Sequence, residues 1–165
     1  MFIEDEHGPE FFKNLIERLK GKKLIPENIV VESKKLPADC NSKLERMIKA
    51  ALIFGFQKVI LILDGDGEPE ERKKVAEVHI PSEFKGNVRV VVFQYEAEEW
   101  ICESLGIPYG GYKGKPSDAL KQWLRNKEGR DYNKRDLPKF VHKLDFEKLK
   151  DNIAFMNLCE FLKCY

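Results

Sequence analysis

Five consecutive aliphatic residues, Val59-Ile60-Leu61-Ile62-Leu63, stop abruptly at Asp64-Gly65-Asp66-Gly67. An unbroken β-branched and aliphatic run of this length reads as a strand covered on both faces, the usual condition of a parallel sheet. A chain with such a strand must supply helices to cover it and crossovers to return to it. The rest of the sequence offers both.

Phe2-Ile3 predicts a short strand running into Glu4. Residues 9–20 carry Phe12, Leu15, Ile16 and Leu19 at helical spacing, with Pro9 suited to the first turn and Gly21 to the end. Ile29-Val30-Val31 reads as a short buried strand. Leu44, Met47, Ile48, Ala51 and Leu52 form a helical stripe, with Asn41 or Ser42 as cap and Gly55 as stop. A helix is expected over 69–78, a second β-rich run from Val88 to Phe93, and a helix bearing Trp100, Ile101 and Leu105. Strand and helix alternate, so the expected fold class is α/β: an open, mainly parallel sheet flanked by helices, with a helical C-terminal extension.

That extension follows a Gly-rich basic loop, Gly110-Gly111-Tyr112-Lys113-Gly114-Lys115-Pro116. Helices are expected around Ala119, Leu120, Trp123 and Leu124, then around Leu137, Phe140, Val141 and Leu144 with Asp136 as cap, and finally over Asn152–Lys163. A chain of 165 residues suits one domain, with a core over about 1–105 and the loop and extension over about 106–165, packed on the sheet.

Composition narrows the class. Charged residues make up 35% of the chain, an excess in Lys and Glu that fits a heat-stable protein. No apolar run approaches the ~20 residues of a membrane span, and the acidic start is unlike a secretory signal. The expected location is cytoplasmic. Cys40, Cys102, Cys159 and Cys164 make no CxxC pair, and read as thiols in a reducing compartment. His7, His79 and His142 are scattered without metal-ligand spacing. Residues 111–150 carry twelve Lys and Arg against six Asp and Glu, while the part before them is net acidic. That polarity suits a protein that holds a cation and approaches an anion such as a nucleic-acid backbone, though a solvated helical surface explains it equally.

Ligands of open parallel sheets bind at the carboxyl ends of the strands. Acidic residues gather at three such ends: Glu4, Asp64 with Asp66, and Glu96 followed by Glu98 and Glu99. Carboxylate oxygens are the preferred donors for Mg2+, and Asp-x-Asp on an extended segment sends both side chains to one side. The competing readings are an ordinary Asp-Gly turn at Asp64-Gly65, and an acidic first helical turn at Glu98-Glu99. Lys113 or Lys115 is placed to meet a phosphate, or belongs to a plain connector.

An early strand ending in Glu, then a buried strand ending in Asp-x-Asp, resembles the Toprim superfamily. Tyr95-Glu96-x-Glu98-x-Trp100, Lys115-Pro116 and the closing helix resemble small stand-alone Toprim-like proteins related to the overcoming-lysogenization-defect nucleases. The resemblance implies Glu4 as a catalytic or metal-binding Glu, Asp64 and Asp66 as Mg2+ (or Mn2+) ligands with Glu96 and Glu98 assisting, and Lys113 or Lys115 at the phosphate, Lys115 also catalytic. Glu4 is followed by Asp5, Glu6 and His7 where the family has Glu-Gly, so Glu6 competes for the role of Glu4. The implied function is metal-dependent phosphoryl transfer, most simply a nuclease on DNA or RNA. The alternatives are a non-catalytic module for a nucleotide, a nucleic acid or a partner ATPase, and a structural, dimeric protein with a vestigial site.

Overall fold

The computed structural model describes residues 1–36 and 42–163. Four parallel strands form one open sheet in the order β2-β1-β3-β4. They are β1 (Phe2–Ile3), β2 (Lys34–Lys35), β3 (Val59–Leu63) and β4 (Val88–Val92). The helices are α1 (Gly8–Gly21), α2 (Ser42–Ile53), α3 (Pro69–Glu77), α4 (Glu98–Leu105), α5 (Pro116–Glu128), α6 (Phe146–Leu149) and α7 (Ile153–Lys163). The expected α/β class with a parallel sheet is the observed one.

β3 is buried along its whole length, and its side chains alternate between two apolar layers. Ile60 and Ile62 join Ile3, Val91 and Phe93 under α1, α4, α5 and α7. Val59, Leu61 and Leu63 join Phe2, Val88 and Val90 under α2 and α3. This is the two-faced burial that an unbroken apolar strand demands. The C-terminal helices share the first apolar layer with the sheet.

Two local expectations are corrected. Ile29-Val30-Val31 is not a strand, and Val30 is exposed. The chain pairs four residues later, where Lys34 N–H donates to Met1 C=O (2.9 Å) and Leu36 N–H to Ile3 C=O (2.7 Å). The segment expected to be a helix capped by Asp136 is a 3-10 run, Lys134–Lys143, which Asn133 caps by accepting from Arg135 N–H (3.1 Å). Pro138 within it has no N–H to give, which breaks an α-helical ladder. Asn41, Cys40 and Cys164 lie outside the described residues. Cys102 is a free, buried thiol and Cys159 a free, partly buried one.

The strand order reverses direction at β1 and β3. From β1 the chain crosses to β2 on one side, and from β3 to β4 on the other. The crevice beyond the carboxyl ends at such a point is the general ligand position of open α/β sheets. Glu4 leaves β1 there and Asp64 leaves β3 there.

Candidate functional site

The site begins with the turn after β3. Gly65 and Asp66 N–H both donate to Tyr95 C=O (2.9 and 3.2 Å), and Gly67 N–H donates to Gln94 C=O (2.8 Å). The turn therefore lies directly on the chain leaving β4. A Cβ at position 65 would stand 2.0 Å from Phe93 C=O oxygen, so only glycine fits. Asp66 adopts a left-handed φ of 50°. The expectation of an extended Asp-x-Asp is thereby corrected: the chain curls at Asp66, whose side chain is exposed and ion-paired with Lys115 Nζ (2.6 Å).

Glu4 is fixed from two sides. One carboxylate oxygen accepts from Asp64 N–H (3.0 Å) and the other from Arg72 Nη2 (2.5 Å). Arg72 Nε also donates to Asp64 C=O (3.1 Å). As it stands, Glu4 locks the end of β3 to α3. Glu6 is exposed, so Glu4 rather than Glu6 reaches the strand ends.

Inside this rim four carboxylates face one ammonium. Lys134 Nζ donates to Asp5 Oδ2 and Glu96 Oε2, both at 3.3 Å, and its charge also acts on Glu98 and Asp64. Glu96 is anchored by accepting from Ser117 N–H (2.8 Å) in the first turn of α5. Asp5 is anchored by accepting from His7 N–H (2.7 Å). Glu98 is fully buried; one oxygen accepts from Tyr132 Oη (2.8 Å) and the other, Oε2, has no partner among the described residues. A buried carboxylate oxygen without a donor is costly, and it calls for an ion, a water or a proton.

The electrostatics follow from this arrangement. Burial, then the charges of Asp5, Glu4 and Glu98, push Asp64 from 3.8 to about 8, against the opposing pull of Lys134. Burial and Glu96 raise Glu98 from 4.5 to about 7. Burial pulls the Lys134 ammonium down, but Glu98, Asp5, Glu96 and Asp64 together hold it above the usual lysine range. Glu99 is a different case. Its oxygens accept from Gln94 and Tyr95 N–H (3.2 and 2.9 Å), and burial raises it to about 7 despite those bonds. It shapes the turn rather than facing the cluster.

The sequence-predicted residues therefore divide. Asp64, Glu96 and Glu98 come together, Glu4 stands behind Asp64, and Asp66 with Lys115 forms an exposed pair at the mouth. Lys115 remains within electrostatic reach of Glu96 and Lys134. Lys113 is exposed on a 3-10 turn, Gly111–Lys113. Asp5, Lys134, Tyr132 and Arg72 were not anticipated. Among the described residues, no three His, Cys, Asp or Glu side chains are gathered closely enough to share one metal ion. The donor chemistry nonetheless fits a hard cation: all oxygens, one of them buried and unpartnered, around an ammonium that already occupies the cationic position.

No family model matches the chain, and neither do curated proteins or solved structures. Among the described residues no helix is long and apolar enough to cross a membrane.

The raised carboxyls give a pH dependence of unusual sign. Between about pH 4 and pH 8 the folded metal-free protein holds protons on Asp64, Glu98 and Glu99 that the unfolded chain has lost. Stability therefore falls as pH rises through that window. Thermal melts in EDTA should show a lower midpoint at pH 8 than at pH 5.5. Glu98→Gln, which removes one of these groups, should flatten the slope and raise the midpoint at pH 8. A midpoint that climbs with pH would show that these groups are solvated.

Proposed function

We propose that this chain is a Mg2+- or Mn2+-dependent phosphoryl-transfer enzyme, most simply a nuclease on DNA or RNA. The observation that supports the reading best is the unpartnered Oε2 of buried Glu98 near Asp64, both carboxyls being pushed toward neutrality chiefly by burial, in spite of Lys134. Asp64 and Glu98 would hold the ion, with Glu96 and Asp5 next to it. Bound there, the ion would neutralise phosphate charge and acidify a bound water. The remaining roles belong to the chain itself. Tyr132 orients Glu98, Glu4 and Arg72 hold Asp64 at the strand end, and Lys115 at the mouth meets incoming phosphate. The resemblance of Glu4 and Asp64-Gly65-Asp66 to the Toprim pattern supports the same reading.

The test is cleavage of plasmid DNA and of RNA with Mg2+ or Mn2+. Asp64→Asn and Glu98→Gln should each lower the rate by about a hundredfold or more, the scale of losing one electrostatic group at a reacting centre. Asp66→Asn, at an exposed position, should cost much less. Equal cleavage by all four proteins would mean contamination and would remove the assignment.

One observation favours a second reading, a non-catalytic module that binds a nucleotide, a nucleic acid or a partner ATPase. The carboxylates surround Lys134 rather than gathering on a point. On this reading, metal or nucleotide would shift the melting midpoint without any cleavage.

A further inference from the structure

We infer that the open edge of β4 is a docking site for an acidic peptide segment in extended conformation. Among the described residues, β4 ends the strand order and pairs with β3 alone. Val59 N–H donates to Asn87 C=O (2.8 Å) and Phe93 N–H to Leu63 C=O (3.0 Å). In a parallel pair, a residue sends its N–H and C=O to the same side, and successive residues alternate. Residues 87, 89, 91 and 93 are thus spent on β3. Val88, Val90 and Val92 turn their N–H and C=O groups away from β3, a row of donors and acceptors that templates another strand. Val88 and Val90 are only 8% and 4% exposed and are reached where they line a groove.

The edge opens into a groove of about 410 Å³, bordered by Val88, Arg89 and Val90 of β4, Lys73 of α3, Lys85, and Phe161 of α7. Three cations border it against one carboxylate, Glu77. Among the described residues neither Lys73 nor Lys85 forms an ion pair, and the Arg89 guanidinium lies over the Phe161 ring at 5.3 Å. The charge selects the occupant. A second copy paired edge to edge would bring these cations against their own counterparts, which costs rather than stabilises. A DNA backbone would meet the cations but offers no donors for the outward C=O groups of Val88, Val90 and Val92, and an RNA backbone offers only its 2′-hydroxyls. An extended peptide rich in Glu or Asp satisfies both the edge and the charges. This surface is separate from the acidic site and does not depend on the proposed activity.

The probe is a fluorescein-labelled eight-residue peptide of alternating Glu and Val, titrated by fluorescence anisotropy. Its counterparts are the same peptide N-methylated at alternate residues, a Lys-Val analogue and a single-stranded oligonucleotide. Saturable binding of the Glu-Val peptide is expected, together with slowed amide exchange at Val90 and Val92. It should weaken at least tenfold on N-methylation, in the Lys-Val analogue, and in a Lys73→Glu/Lys85→Glu protein whose melting midpoint is unchanged. The inference is overturned if the Glu-Val peptide does not bind, or if the N-methylated peptide binds equally. Tighter binding of the oligonucleotide, or protection of Val90 by self-association alone, would overturn it too.

Discussion

Trp100→Ala should lower the unfolding free energy by about 3–5 kcal/mol, the usual cost of emptying a large aromatic from a core. Trp100 is fully buried in α4. Its ring meets Phe93 at 4.7 Å, Phe155 at 5.4 Å and Phe12 at 5.9 Å between centroids, all edge-on. These three rings come from the end of β4, from α7 and from α1. Its indole N–H donates to Asn152 Oδ1 (3.0 Å), which also accepts from Phe155 N–H at the start of α7 (3.0 Å). One side chain therefore ties the sheet, the first helix and the closing helix together. A loss of that size is a large share of the ~5–15 kcal/mol by which domains are stable. Urea melts give the number. Because Trp100 is two residues from Glu98, the variant should also loosen the acidic site, while Trp100→Phe should retain most of both. A loss below about 1 kcal/mol would mean that the closing helix is not held through this ring.

The second large effect is expected at Lys134→Met. The ammonium is the ion-pair partner of Asp5 and Glu96 in the metal-free state, within reach of Glu98 and Asp64. Removing one partner from a buried ion pair costs about 3–5 kcal/mol, and surface pairs about 0–1. Lys134 is 46% exposed while its partners Asp5 and Glu96 are 7% and 8% exposed. The expected loss lies between those limits, about 1–3 kcal/mol in EDTA. Mn2+ should then stabilise the variant more than the wild type, since the ion would replace the missing charge. Urea melts with EDTA and with Mn2+ separate the two effects. No loss in EDTA would show that Asp5 and Glu96 are balanced by solvent and not by Lys134.

The legible part of the fold is the part that apolar residues dictate. Val59–Leu63 is buried throughout and Val88–Val92 is buried except at Arg89 and, in part, Val92, and α4 after the second run carries an apolar stripe, so their identity and order follow from the sequence. β2 does not announce itself. It is two exposed lysines whose only strand-like property is backbone pairing with β1, whereas the nearby apolar Ile29-Val30-Val31 draws the eye. The 3-10 run Lys134–Lys143 carries a helical stripe, and the signal against a regular helix was Pro138.

The site was legible where it follows strand ends. Asp64, Glu96 and Glu98 are each a few residues past a buried strand, and the topology brings those ends together. Asp66 misleads, because Gly65 and Gly67 allow a curl that ends the alternation of an extended chain. Lys134 and Tyr132 reach the cluster from the C-terminal extension, and only tertiary packing delivers them. The excess of Lys and Arg over residues 111–150 was the one hint that a cation would come from there.

Asp64 and Glu98 are proposed to form a cation site. Calorimetric titration of the EDTA-stripped protein with Mn2+ near pH 7, repeated in buffers of different ionisation enthalpy, tests it most directly. One saturable site whose filling releases protons is expected, since carboxyls raised to about 8 and about 7 must ionise to bind a metal. Asp64→Asn and Glu98→Gln should each weaken binding by at least about tenfold, the lower end of what even outer-shell substitutions cost. No binding, or binding that both variants retain without proton release, would contradict it.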